Sequence, residues 1–188
     1  MNFRHYACFV GDLIVVTGPP GSGKTTVSRL LSAMFDKSAR VAGDDFFAFL
    51  DRGYIAPWTA EAHAQNTVVV TAAAAAVGRL VAGDYTVVYD GVIGPWFIDA
   101  FARAAGVTHV HYAVLLPPER ECLERVESRT GHGFTDLDAA RHMYREFAAA
   151  AIEGRHVVTS SGDATSLALH LHQLMEGGSL VRVVDADG

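Results

Sequence analysis

Gly18-Pro19-Pro20-Gly21-Ser22-Gly23-Lys24-Thr25 is the stretch whose reading decides the fold. It follows Leu13-Ile14-Val15-Val16, an unbroken apolar and β-branched run of the kind found in a strand buried on both faces. It precedes Val27, Leu30, Leu31 and Met34, which recur at helical spacing up to Phe35. A strand, a glycine-rich turn and a helix in that order match GxxxxGK[ST] in full. Glycines at these positions let backbone N–H groups turn inward toward a phosphate chain, and the new helix presents its positive end to the same place. Lys24 then reaches the β and γ phosphates, while Thr25 offers a hydroxyl to Mg²⁺. Gly18, Gly21, Ser22, Gly23, Lys24, Thr25 and Thr26 are accordingly expected to bind a nucleotide, with ATP and Mg²⁺ as the expected cofactors.

Working outward, Ala39 to Ala42 predicts a second strand that ends at Gly43-Asp44-Asp45. Thr59 is expected to cap a long Ala-rich helix running to about Ala82, with Gly83-Asp84 as its stop and Thr86 to Tyr89 as a third strand. A helix follows around Pro95 to Ala105, then a fourth strand over His109 to Leu116. Pro117-Pro118 opens a helix that carries Cys122, Leu123 and Val126 on one side. Thr130 to Phe134 reads as a turn, and Thr135 with Asp138 as a capping-box start for a helix to roughly Ala151. His156 to Thr159 gives the last strand, and Leu167, Leu171, Leu174 and Met175 mark the closing helix. Parallel strands need helix-length crossovers, so five strands alternating with helices specify an α/β, three-layer fold with helices on both faces of a parallel sheet. One domain over residues 1–188 is expected, with a lid at about 125–140 and a loose tail at about 177–188.

Composition narrows the function classes. Half of the 188 residues are apolar and 19% are charged, enough to bury a sizeable core. With 15 Lys and Arg against 21 Asp and Glu, the formal charge of −6 leaves no general attraction for nucleic acid or an anionic membrane, so a polyanion needs a local site. Cys8 and Cys122 stand far apart and outside any CxxC pattern, which argues against a disulfide framework and for a reducing, cytoplasmic setting. The apolar run from Ala7 to Val16 is broken by Gly11 and Asp12, and no apolar stretch is expected to reach the ~18 residues needed to span a bilayer. Oligomeric state leaves no signature.

Carboxylates at the carboxyl end of a second parallel strand lie beside the phosphate loop, where open α/β sheets bind ligands. An ionised Asp44 or Asp45 there can accept the proton of an attacking hydroxyl, or one of them can instead cap the next helix. Asp90 follows the apolar run Val87-Val88-Tyr89, the arrangement of a carboxylate that sits near Mg²⁺, and Gly91 beside it lets backbone approach a substrate. Thr25 and Asp90 are therefore the expected metal residues. Arg125 and Arg129 stand four apart on one helix face and suit the covering of phosphates, although Glu121, Arg125 and Arg129 can equally form a surface ladder. Two aromatic loops, Gly53 to Trp58 and Pro95-Trp96-Phe97, suit the walls of a substrate pocket, with Trp58 the expected substrate contact.

On the loop GPPGSGKTT, Gly43-Asp44, the Asp44-Asp45-Phe46-Phe47 run and Arg129-Thr130-Gly131-His132, the chain resembles the small P-loop kinases of the gluconate kinase, shikimate kinase and chloramphenicol phosphotransferase group. The resemblance spans about Leu13 to Met175. Gly43-Asp44 is similar to the Gly-Asp after strand 2 of gluconate kinases, and the DDFF run to a segment of nicotinamide riboside kinases; both favour Asp44 as base over Asp45. What the resemblance implies is a five-stranded order 2-3-1-4-5, ATP as donor, Mg²⁺, a lid over the phosphates, and adenine bordered by Ser160 to Asp163. It further implies catalytic roles for Asp44, Lys24, Arg125 and Arg129, and an acceptor contacted by Asp44, Asp45, Trp58, Asp90 and Gly91. The expected activity is transfer of the γ-phosphate to a hydroxyl of a metabolite or antibiotic. The alternative is a nucleotide-dependent module akin to tunicamycin-resistance-type P-loop proteins, with no small-molecule acceptor.

Overall fold

The computed structural model describes residues 11–128, 134–159 and 162–184. At its centre lies β1 (Leu13–Thr17), every residue of which is buried. On one side come β3 (Thr86–Asp90) and then β2 (Ser38–Ala42); on the other come β4 (His109–Leu115) and β5 (Val157–Val158). These five strands run parallel in the order β2-β3-β1-β4-β5, as the resemblance implies. Register decides what meets at the sheet's carboxyl edge. Val16 pairs with Asp90, and Ala42 pairs with the same Asp90, so the segments leaving β1, β2 and β3 emerge side by side.

Alternation along β1 sends its residues to two cores. Leu13 and Val15, with Val87 and Tyr89, pack under α3 (His63–Ala82) and α4 (Ile98–Ala105) through Val70, Ala73, Ala74, Val77 and Phe101. Ile14, Val16 and Val88 pack under α1 (Lys24–Ser32) and α7 (Ala164–Glu176) through Val27, Leu31, Leu167 and Leu171. The alanine run lets α3 lie close to its neighbours. At Gly78 a Cβ would overlap the Ala105 carbonyl, so that position is what brings α3 onto α4.

Several boundaries differ from the sequence reading. A short helix, α2 (Gly43–Phe47), follows β2 directly. The long helix is preceded by a 3-10 turn at Ala60–Ala62, and Thr59 makes no side-chain cap; its hydroxyl donates to the Ala56 carbonyl at 3.1 Å instead. α5 (Glu119–Glu127) follows Pro117-Pro118 as expected. α6 (Leu137–Ala149) is capped by Asp136, whose carboxylate accepts from the Asp138 and Ala139 amides, rather than by Thr135. The expectation that no stretch has the length and apolarity of a membrane span is also corrected. Ala60–Ala82 has both, and in this fold its valine and alanine stripe faces the core described above.

The expectation of a loose tail at 177–188 is corrected over 177–184. Val181–Val183 form β6, antiparallel to the first half of β4, with His109 opposite Val183 and His111 opposite Val181. β5 pairs with Val114 and Leu115, so β5 and β6 share one edge of β4 end to end. Leu180 is wholly buried, and Arg182 grips the Asp99 carboxylate on α4 with bonds of 3.0 to 3.1 Å. Part of the expected lid, 129–133, lies outside the described residues.

Candidate active site

The turn after β1 has the backbone its glycines permit. Gly18, Gly21 and Gly23 take φ of 141°, 80° and 92°, values that side chains with a Cβ rarely adopt. At Gly21 a Cβ would also run into the Cys122 carbonyl on α5, so the loop lies tightly on that helix. Cys122 itself is buried, which pushes its thiol up to about 11 and keeps it an inert packing group. Gly23 is the N-cap of α1 and no side chain caps the helix, leaving its first-turn amides to the loop's interior. Lys24 crosses the loop and donates from Nζ to the carbonyls of Gly18 at 2.8 Å and Pro19 at 2.9 Å. Ser22 is 3% exposed, and its Oγ has no hydrogen-bond partner. Uncapped amides, an orphaned buried hydroxyl and a lysine held across the loop fit a polyphosphate.

Asp90 ends β3 beside this loop and is 6% exposed. Its carboxylate accepts from Arg40 Nη1 at 3.1 Å and from the Thr25 hydroxyl. Burial pushes its pKa up, and the charge of Asp44 adds to that; Lys24, the Thr25 hydroxyl and Arg40 pull the other way. A paired hydroxyl and carboxylate are hard oxygen donors of the type that hold Mg²⁺ together with water and phosphate oxygens, so the residues fit that ion. Asp44, in the first turn of α2, joins Lys24, Thr25 and Asp90 in lining a cavity of about 990 Å³. Neither Asp44 nor Asp45 caps α2, whose N-cap is Ala42, so the capping alternative is not realised. Both carboxylates are exposed, and what separates them is that Asp45 lies outside the lining.

The cavity runs from the phosphate loop to α6, and its aromatic walls are Phe47, Tyr54, Trp58, Tyr89, Trp96, Phe97 and Phe134. Trp58 meets Phe134 edge to face at 5.1 Å, and His63 stacks on Phe97 at 5.8 Å. Tyr89 is the residue that the sequence reading treated only as strand core. Its ring is enclosed by the backbone: a Cβ at Gly43 would overlap its hydroxyl, and one at Gly91 would lie 2.7 Å from the ring. Those glycines therefore admit Tyr89, and burial, then Asp44 and Asp90, raise its phenol pKa. Gly91 does line the cavity.

Two amides on α3 were also missed, although they fix the aromatic loop at 53–58. Gln65 accepts from the Ile55 amide and donates to the Ile55 carbonyl, both at 2.7 Å, and Asn66 donates to the Pro57 carbonyl at 2.7 Å. Their signal in the sequence was an adjacent Gln-Asn pair at the start of an otherwise apolar helix. On the far side, Ile93 is held from both directions: its amide donates to the Thr17 hydroxyl at 2.8 Å, and its carbonyl accepts from Tyr112 at 2.9 Å. That anchors the segment leaving Asp90.

Arg125 stands against the phosphate loop and also pairs along its own helix. It donates to the Gly21 carbonyl at 3.3 Å and pairs with Glu121 at 3.1 Å. It lines a second, smaller recess of about 240 Å³ with Ser22, Gly23, Thr26 and Gly162, on the other side of the phosphate loop from the aromatic cavity. Arg129 and His132 lie outside the described residues, as do Ser160 and Ser161.

A family model described as an AAA domain matches residues 14–141. No curated protein matches the chain by sequence. Among solved structures, a sugar kinase from Janibacter sp. HTCC2649 is similar at 20% identity and a TM-score of 0.66, over 88% of this chain and 95% of that one. A gluconokinase from Sinorhizobium meliloti 1021 is similar at 22% identity and 0.62, over 90% and 95%. The Deinococcus radiodurans tunicamycin resistance protein is similar at 16% identity and 0.64, over 93% and 99%. At these identities the likeness is one of fold.

Proposed function

The chain belongs to the AAA-domain family, and on that premise we propose that it is an ATP-dependent phosphotransferase that passes the γ-phosphate to a hydroxyl of a small molecule. The observation that carries this reading is the placing of Asp44 with Lys24, Thr25 and Asp90 on one cavity large enough for an acceptor beside the phosphate loop. A nucleotide switch needs the loop and Asp90; it has no use for a walled aromatic chamber that opens onto them.

In this mechanism the amides of residues 21–24 and the Lys24 ammonium hold the phosphate chain, Lys24 exchanging the Gly18 and Pro19 carbonyls for phosphate oxygens. Ser22, Thr26 and Arg125, which border the smaller recess, bind the nucleotide's remainder, and Arg125 neutralises phosphate charge from the Gly21 side. Thr25 and Asp90 hold Mg²⁺, which when bound supplies further neutralisation of the phosphates. The acceptor hydroxyl gives its proton to the Asp44 carboxylate as its oxygen bonds to the γ-phosphorus, and the bond from that phosphorus to the ADP oxygen breaks. Trp58 and the neighbouring rings exclude water, whose attack would waste ATP.

The test is transfer of labelled phosphate across a set of hydroxylated metabolites and antibiotics, with Lys24→Ala as the blank. Asp44→Asn should abolish transfer and leave ATP affinity nearly unchanged, since the amide keeps the shape and loses the basicity. Undiminished transfer by Asp44→Asn would remove Asp44 as base.

A further inference from the structure

The charges and rings of the large cavity say more about the acceptor than that it has a hydroxyl. Among the described residues, Lys24 is the one Lys or Arg that lines the cavity, against three carboxylates, Asp44, Asp90 and Glu146. Lys24 belongs to the phosphate loop, with its ammonium on the Gly18 and Pro19 carbonyls. Nearby Arg40 is committed to Asp90 at 3.1 Å, and Arg125 borders the other recess. With Asp90 paired to Arg40, the carboxylates left facing an acceptor among the described residues are Asp44 and Glu146, and both repel a carboxylate or phosphate while Lys24 serves the nucleotide. Bound ATP would add further negative charge at one end.

The far end of the chamber has a consistent character. Glu146 on α6 lines it with Met143, and its one ion-pair neighbour among the described residues is His142 at 3.6 Å on the same helix. The walls between are rings, and the apolar surface continues to the outside: Tyr54 is 51% exposed and Trp96 48%. Rings with electron-rich faces beside carboxylates favour a flat apolar body or a cation and disfavour an anion. A volume of about 990 Å³ lies at the upper end of small-molecule pockets, larger than a short polyol fills.

Resting on the kinase reading above, we infer that the acceptor is a hydroxylated compound with an aromatic or similarly flat apolar body and no anionic group, neutral or carrying an ammonium. Sugar acids, phosphorylated sugars and nucleoside monophosphates are disfavoured by this chemistry.

The test uses the full chain with a non-hydrolysable ATP analogue and Mg²⁺, and three probes that differ only in the para substituent of 2-phenylethanol: methyl, aminomethyl and carboxylate. Binding is read by ligand-observed NMR and competition. The methyl and ammonium probes should each bind at least roughly tenfold more tightly than the carboxylate. Met143→Arg, which places a cation on the far wall, should narrow or reverse that gap, with the affinity for the ATP analogue measured alongside as the check that the fold is intact. Equal or tighter binding of the carboxylate by the unaltered protein overturns the inference, and so does failure of all three probes to bind at millimolar concentration. Phosphate transfer is scored separately: the charge preference without transfer to any probe supports this account of the ligand and counts against the kinase reading, whereas transfer to the carboxylate probe alone supports the kinase reading and overturns this one.

Discussion

Replacing Gln65 by alanine removes the clamp that holds the aromatic loop at Ile55. Two hydrogen bonds of 2.7 Å are lost, one accepted and one donated by the same side-chain amide. A partly solvated hydrogen bond contributes about 0.5–1 kcal/mol net, so the pair holds the loop by about 1–2 kcal/mol, a factor of roughly 5 to 30 in its opening equilibrium. Asn66 still ties the Pro57 carbonyl at 2.7 Å, so the loss is local to residues 53–56. Alanine is the better helix former, and α3 itself should not weaken. Hydrogen exchange by NMR reads the effect directly: the Ile55 amide should exchange roughly 5- to 30-fold faster, with Ala73 to Val77 in the buried half of α3 unchanged. If the loop forms the acceptor's wall, the acceptor KM should rise by a similar factor while the ATP KM stays constant. An Ile55 amide that exchanges no faster in Gln65→Ala would refute the assignment of the clamp.

Other consequences follow from the buried titratable groups. Burial raises the pKa of Asp90 in the fold above its unfolded value, so the stability this group contributes is present at low pH and is lost as pH rises through the raised pKa. Asp90→Asn should therefore raise Tm at neutral pH while weakening the Mg²⁺ dependence of nucleotide binding; a lowered Tm would show that the pair with Arg40 outweighs the burial cost. His156 has the opposite sign. It is 1% exposed, its Nδ1 donates to the Tyr112 carbonyl at 3.0 Å, and its Nε2 is buried without a partner. Burial depresses its pKa, so its contribution is whole above the ordinary value of 6.5 and is lost as pH falls through the lowered one. Tm measured against pH should fall on acidification below about 6.5, and the fall should be shallower in His156→Gln; identical slopes would exclude His156 as the source.

The parallel sheet and the identity of its central loop were legible because both rest on local chemistry, whereas the strand order came from the family resemblance alone. An apolar run followed by GPPGSGKT constrains backbone and side chains between Leu13 and Thr25, and the alternation of strand and helix then fixes a parallel sheet. The place of Asp90, at the end of β3 beside that loop, was legible for the same reason. The residues by themselves left Asp44 and Asp45 open, and only the resemblance favoured Asp44, because which of the two lines the cavity depends on the facing of a single helical turn, and no periodicity runs through so short a helix. β6 was hidden behind Gly177-Gly178: three residues of strand are too few to show alternation, and their partner is seventy residues earlier. The roles of Gln65, Thr17 and Tyr112 are long-range bonds to backbone, which leave no pattern in the chain. Tyr89 looked like core because it is core, and its second role as a cavity wall depends on Gly43 after β2 and Gly91 just past its own strand, which leave room for its ring.

The central claim is that the loop after β1 grips a nucleoside triphosphate with Mg²⁺. Calorimetric titration of the purified protein with ATP in the presence of Mg²⁺ tests it most directly, with Lys24→Ala beside it. The account predicts saturable binding at one site, weakened roughly 10- to 100-fold by the substitution as a charge-assisted contact is lost. Absence of heat with both ATP and GTP, or equal affinity in Lys24→Ala, would contradict it.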